Sequence, residues 1–194
     1  MKLGVLVSGR GSNLEALLGA GIPGIEPVLV ISNRAGVRAL EVAARFGVQA
    51  MTLERSDFPS DEARDGRIGQ SLTDAGVELV LLAGYDQRLR PAYFASFAGR
   101  TLNVHPSLLP RHGGKGMLGV AVHASVLAAG DAETGVTIHD VTDELDAGPP
   151  LLQVRVAVLP DDTPQRLAER VLAVEHRSVI EVLARLAGRN ARSP

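Results

Sequence analysis

Asn103 and His105 stand two residues apart where the apolar run Thr101-Leu102 meets Pro106-Ser107-Leu108-Leu109-Pro110. In a strand, residues two apart project to the same side, so amide and imidazole would leave one strand end together. The two prolines stiffen the chain behind them. An amide donor beside a titratable ring suits holding a developing oxyanion and moving a proton. Read structurally, the same pair is a strand-ending Asn and a core His, and the rest of the chain must separate the two readings. Two further stretches carry chemistry. Ser8-Gly9-Arg10-Gly11-Ser12-Asn13 is a glycine turn between an apolar run and a helical pattern, the layout of a loop whose free N–H groups and helix dipole hold a phosphate. It is also the layout of a helix start capped by Ser12 or Asn13 with no ligand. Thr142-Asp143-Glu144-Leu145-Asp146-Ala147-Gly148-Pro149 is an acidic loop closed by glycine and proline.

Several chemistries fail on residue type and spacing. The five histidines, His105, His112, His123, His139 and His176, are scattered and form no His-Glu-x-x-His helix. His123 lies in a helix rich in Val and Ala and reads as a packed or half-exposed helix residue. No cysteine is present, which excludes disulfides, a thiol nucleophile and a zinc site built on Cys. No Gly-x-Ser-x-Gly elbow occurs, and Ser107 lies between prolines. Gly9-Arg10-Gly11 lacks the third glycine of a dinucleotide fingerprint, because Leu14 occupies that place, and it is not a Walker loop. What remains is a phosphate loop, an amide, an imidazole and a carboxylate around Asp146. That set fits acyl-type transfer without a covalent enzyme intermediate. A net charge of −2 gives no pull toward nucleic acid or membrane. Leu3–Ser8 is too short for a signal peptide or a membrane span, so a soluble cytoplasmic protein acting on small molecules is expected.

These groups need a frame that brings them to one edge. Leu3–Val7, Pro27–Ser32, Val48–Leu53 and Val77–Leu82 read as strands buried in a parallel sheet. They alternate with helical patterns at Leu14–Leu18, Val37–Phe46 (closed by Gly47) and Ser60–Gly76, the last a polar surface helix. Pro91–Phe97 is a short helix, Arg111–Gly119 a glycine-rich lid-like loop with Lys115 in it, and Val120–Ala129 a helix. Thr134–Val141 and Leu151–Val158 alternate as an antiparallel edge, with Thr137 and His139 on one face. Thr163–Leu186 is a long closing helix capped by Asp162 or Thr163, followed by a frayed tail from Ala187 to Pro194. The fold class is therefore α/β: a doubly wound, mostly parallel Rossmann-like sheet with helices on both faces and an antiparallel edge near the C-terminus. At 194 residues a single domain over 1–194 is expected. Ligands in such sheets sit beyond the carboxyl ends of the strands, so the glycine loop, Gly84 and Asn103–His105 should share one edge.

Four blocks then occur in order: Ser8-Gly9-x-Gly11-Ser12-Asn13-Leu14, Leu82-Ala83-Gly84, Asn103-x-His105-Pro106-Ser107-Leu108-Leu109-Pro110 and Asp143-Glu144-x-Asp146-x-Gly148. Together they resemble the phosphoribosylglycinamide formyltransferase (GAR transformylase) family of folate-dependent formyltransferases, over nearly the whole chain. The resemblance implies formyl transfer from 10-formyltetrahydrofolate to the amine of 5′-phosphoribosylglycinamide in purine biosynthesis, by a monomer or homodimer without a metal. It implies a phosphoribosyl-binding part over about 1–100 and a catalytic, folate-binding part over about 101–188. Gly11, Ser12 and Asn13 would hold the substrate phosphate and Glu175 the ribose hydroxyls. Asp86, Gln87, Arg88, Leu89 and the loop of Val141, Thr142, Asp143, Glu144, Leu145 and Asp146 would line the folate pocket, with Asn103 at its reactive end. Asn103 would donate to the formyl oxygen, and His105 would stabilise the tetrahedral intermediate and move a proton. Asp146 would favour the imidazolium and hold a relaying water. Two departures are visible: the family commonly has an aromatic residue, then Met-Arg-x-Leu, where this chain has Tyr85-Asp86-Gln87-Arg88-Leu89, so its arginine has moved by one place, and the loop after Pro110 is longer than in the best-known members.

Overall fold

The computed structural model describes residues 1–190. Its elements are β1 (Lys2–Val7), α1 (Ser12–Ala20), β2 (Glu26–Ser32), α2 (Arg38–Arg45), β3 (Gln49–Thr52), α3 (Asp61–Asp74), β4 (Leu79–Leu82), α4 (Pro91–Ser96), β5 (Arg100–His105), α5 (Val120–Ala128), β6 (Glu133–Asp140), β7 (Pro150–Ala157) and α6 (Pro164–Asn190). The seven strands form one sheet in the order β3-β2-β1-β4-β5-β6-β7. β3 through β5 run parallel, and β6 pairs antiparallel with both β5 and β7.

Alternation along β1 divides the core. Leu3, Val5 and Val7 face one side with Leu14, Leu17 and the apolar residues of α6. Leu6 faces the other with Ile31, Ile68, Leu72 and Tyr93. Gly4 lies between: a Cβ there would come within 2.6 Å of Leu72 Cδ2, so glycine lets α3 lie close to the sheet. The strand order reverses between β1 and β4, which opens a crevice above their carboxyl ends.

Three expectations change in detail. The helix predicted over Ser60–Gly76 is not merely a polar surface element, because Arg64 and Asp65 are buried with Ile68 and Leu72. Asp65 accepts from Arg64 at 2.8 Å and from the Arg90 backbone N–H at 3.0 Å, so the buried charges compensate each other. The first residue of α1 is capped by neither Ser12 nor Asn13; the cap is Gly11 in the left-handed conformation, with no side-chain bond. His123 takes the packed one of its two expected places and is buried. The closing helix runs through Asn190, past the predicted fraying at Ala187, and residues 191–194 of that tail lie outside the described residues. At its start Thr163 is the cap, accepting from the Arg166 N–H at 3.2 Å.

Candidate active site

A cavity of about 640 Å³ opens in the crevice, within the range of small-molecule sites. Its walls come from the loops after β1, β4 and β5, the glycine-rich loop before α5, the acidic loop after β6 and one face of α6. Asn103, His105 and Asp146 line one end; Gly11, Ser12, Asn13 and Glu175 line it as well. Asp86, Gln87, Arg88, Leu89, Val141, Thr142, Glu144, Leu145 and Asp146 are also in the wall. Asp143 is not: its backbone carbonyl instead accepts from the Arg88 guanidinium, with Nε at 3.0 Å. The displaced arginine thus ties the 85–89 segment to the acidic loop.

Register sets the reactive end. β5 and β6 pair so that Asn103 stands opposite His139 and His105 opposite Thr137. The His139 Nδ1–H donates to the carbonyl of Asp140 at 2.8 Å, which leaves Nε2 to accept from Asn103 Nδ2 at 3.1 Å. The second amide hydrogen of Asn103 reaches Asp146 Oδ1 only at 3.5 Å, a weak bond that a better acceptor would displace. His139 is the residue that sequence reasoning missed as a site member. Its signal was the alternation of β6, which put it on the face of Thr137, but nothing local said which strand that face would meet.

Asp146 is held in the left-handed conformation at φ 55°, and its Oδ2 accepts from the Gly114 N–H at 2.8 Å. The carboxylate then lies 3.8 Å from both His105 Nδ1 and His139 Nε2. His105 Nε2 lies 2.8 Å from the backbone oxygen of His112. A carbonyl only accepts, so Nε2 keeps its hydrogen and Nδ1, facing Asp146, is the nitrogen that gains and loses the proton. Burial lowers the His105 pKa below the usual histidine value, and this outweighs the upward pull of the His112 carbonyl and of Asp146. Asp146 acts toward the imidazolium, as expected, but in the free site desolvation is the larger effect.

At the far end, Asn13 Nδ2 donates to Glu175 Oε2 at 2.7 Å, joining the glycine loop to α6 across 162 residues of chain. Asn13 Oδ1 is buried with no hydrogen-bond partner. Burial raises the Glu175 pKa, opposed by Asn13 and by Arg10. Gly11, at φ 70°, allows the tight approach of this loop to α2, where a Cβ would meet Ala39 at 2.8 Å. Among the described residues no group of three or more His, Asp or Glu is placed to hold a metal ion, and no helix is long and apolar enough to cross a membrane.

A doubly wound sheet with a glycine loop at its switch point and an amide, two imidazoles and a carboxylate converging beside it defines a group-transfer enzyme. The family model described as formyl transferase matches residues 1–183, and the chain belongs to that family. It is 40% identical over 180 residues to phosphoribosylglycinamide formyltransferase of Escherichia coli K12, covering 91% of this chain and 82% of that protein. It is also 40% identical over 191 residues to the trifunctional purine biosynthetic protein adenosine-3 of Drosophila pseudoobscura, covering 96% of this chain; it spans only 14% of that relative's length. Glycinamide ribonucleotide transformylase 1 from Symbiobacterium toebii superimposes with a TM-score of 0.90 at 39% identity, over 97% of this chain and 88% of that one.

Proposed function

We propose that this enzyme transfers the formyl group of 10-formyltetrahydrofolate to the amine of 5′-phosphoribosylglycinamide, the purine-biosynthetic step named in its relatives, as one domain acting on small molecules in the cytoplasm. The observation that carries the reading is the placement of two built ends in one cavity. Asn103, His105 and Asp146 stand at one end, and the Gly11–Asn13 loop with Glu175 stands at the other. The residues present fit both substrates. The helix N-terminus after Gly11 offers unpaired N–H groups to a phosphate. Glu175 offers an acceptor to ribose hydroxyls. Residues 86–89, 141, 142 and 144–146 form a wall against which a pterin would lie. In this reading residues up to about 100 hold the phosphoribosyl group, and those beyond hold the folate and perform the transfer.

The donor, when bound, supplies a formyl carbon already activated by its attachment to nitrogen. His105 enters neutral, because burial has lowered its pKa, and its Nδ1 takes the proton that the attacking amine must lose. The imidazolium so formed is stabilised by Asp146 at 3.8 Å, a spacing that a water could bridge. Asn103 turns its loosely held amide hydrogen from Asp146 to the developing oxyanion, while its bond to His139 keeps the amide oriented. The proton on Nδ1 is then returned to the departing nitrogen.

An assay of formyl transfer with and without the ribonucleotide tests this. Tetrahydrofolate formed only in its presence, with formylated ribonucleotide in equal amount, is the expected result. Tetrahydrofolate released without acceptor would assign hydrolysis of the donor, and no release at all would assign a binding protein.

A further inference from the structure

The oxygen that fixes the His105 tautomer belongs to His112, and the side chain of His112 is itself tightly gripped. Its Nε2–H donates to Asp131 Oδ2 at 2.8 Å, and its Nδ1 pairs with the Ser125 hydroxyl at 2.8 Å. Arg111 also pairs with Asp131, and Ser107 Oγ donates to the Arg111 carbonyl at 2.7 Å. The Asp131 carboxyl is held below the usual carboxylate range, chiefly by its bond to His112. The backbone at His112 is left-handed, φ 54°, a conformation that persists in a non-glycine residue when its surroundings over-determine it.

Ser125, His112 and Asp131 have the connectivity of a nucleophilic triad, but they do not form one. Ser125 lies in the middle of α5, where backbone N–H groups are spent inside the helix and none is left for an oxyanion. None of the three lines the large cavity. What the grip does hold is the position of one carbonyl.

We propose that His112, clamped by Asp131 and Ser125, is a positioning residue for His105. By fixing the carbonyl 2.8 Å from His105 Nε2, the clamp keeps the hydrogen on that nitrogen and reserves Nδ1 for proton exchange beside Asp146. Without it, the ring of a residue only 4% exposed loses its one backbone anchor, and the two tautomers mix. This rests on the catalytic reading of His105 given above.

The test is side-chain ¹⁵N spectroscopy of the free enzyme labelled in histidine, with the His105 signals assigned by their loss in His105→Gln. The wild type is expected to show a protonated Nε2 and an unprotonated Nδ1 at neutral pH. In His112→Phe and Asp131→Ala the His105 nitrogens are expected to average between tautomers. In the same variants kcat falls roughly ten- to a hundred-fold, with KM for both substrates within about twofold. A wild-type tautomer and wild-type kcat in His112→Phe would overturn the proposal. Should both of those variants fail to fold, Ser125→Ala decides: tautomer averaging there supports the clamp, and an unchanged His105 spectrum overturns it. Because the spectrum needs no substrate, a wild type inactive in formyl transfer would remove the proposed reaction while leaving the tautomer result to be read.

Discussion

His105 Nδ1 and Asp146 Oδ2 face each other across 3.8 Å, beyond direct hydrogen-bonding distance, inside a site where both side chains are largely buried. In the proposed reaction burial keeps the ring neutral before the amine arrives, and the carboxylate acts on the imidazolium once the proton has moved.

Replacing Asp146 by Asn is therefore expected to lower kcat about 10²- to 10⁴-fold while leaving the ribonucleotide KM nearly unchanged. His105→Ala should lose as much or more. Steady-state kinetics with both substrates varied check this, and a KM effect without a kcat effect would assign Asp146 to binding alone.

The pH profile follows from the direction of the His105 shift. The reactive ring is neutral, and burial lowers its pKa, so kcat/KM should hold its plateau to below pH 6.5, the ordinary histidine value, and fall only at more acid pH. Asp146 pulls that pKa upward, so Asp146→Asn should move the acid limb to lower pH still. An acid limb above the ordinary histidine value would contradict the mechanism.

His123 contributes to acid lability rather than to chemistry. It is buried, its Nδ1 has no hydrogen-bond partner, and burial has lowered its pKa to about 4. The unfolded chain binds a proton there from about pH 6.5 downward while the folded chain does not, so stability declines as pH falls from about 6.5 toward 4. His123→Gln should remove roughly 2 kcal/mol of that slope, measured as urea unfolding at neutral pH and at pH 4.5.

At the other end of the cavity, Glu175→Gln and Asn13→Ala should raise the ribonucleotide KM by about ten- to a hundred-fold, with the folate KM little changed. Asn13→Ala removes the donor, and Glu175→Gln the acceptor's charge, of the pair that closes at 2.7 Å. Equal effects on both substrates would show a collapsed cavity instead of a lost contact.

Asp65→Ala would leave the Arg64 guanidinium buried without its partner and is expected to cost about 3–5 kcal/mol of stability. Replacing both by apolar residues of similar size should recover most of that loss. Chemical denaturation of the single and double variants makes the comparison.

Strand and helix alternation, the glycine turn after β1 and the Asn103–His105 pair were readable in the sequence because each is a local pattern, set by periodicities of two and 3.6 residues and by turn chemistry. Those same patterns put the loops at the carboxyl ends of the strands, and so foretold one shared edge. They were blind to His139, because only the antiparallel register of β6 on β5 sets it against Asn103. They were blind also to the contact of Asn13 with Glu175, which depends on how α6 packs over the sheet. The buried Arg64–Asp65 pair, the left-handed backbone at Asp146 and the larger effect of desolvation at His105 belong to the same class. Local sequence determines which conformation a segment prefers, whereas burial and strand register are set by the free energy of packing distant segments together. The chemistry of this site depends on that second, non-local term.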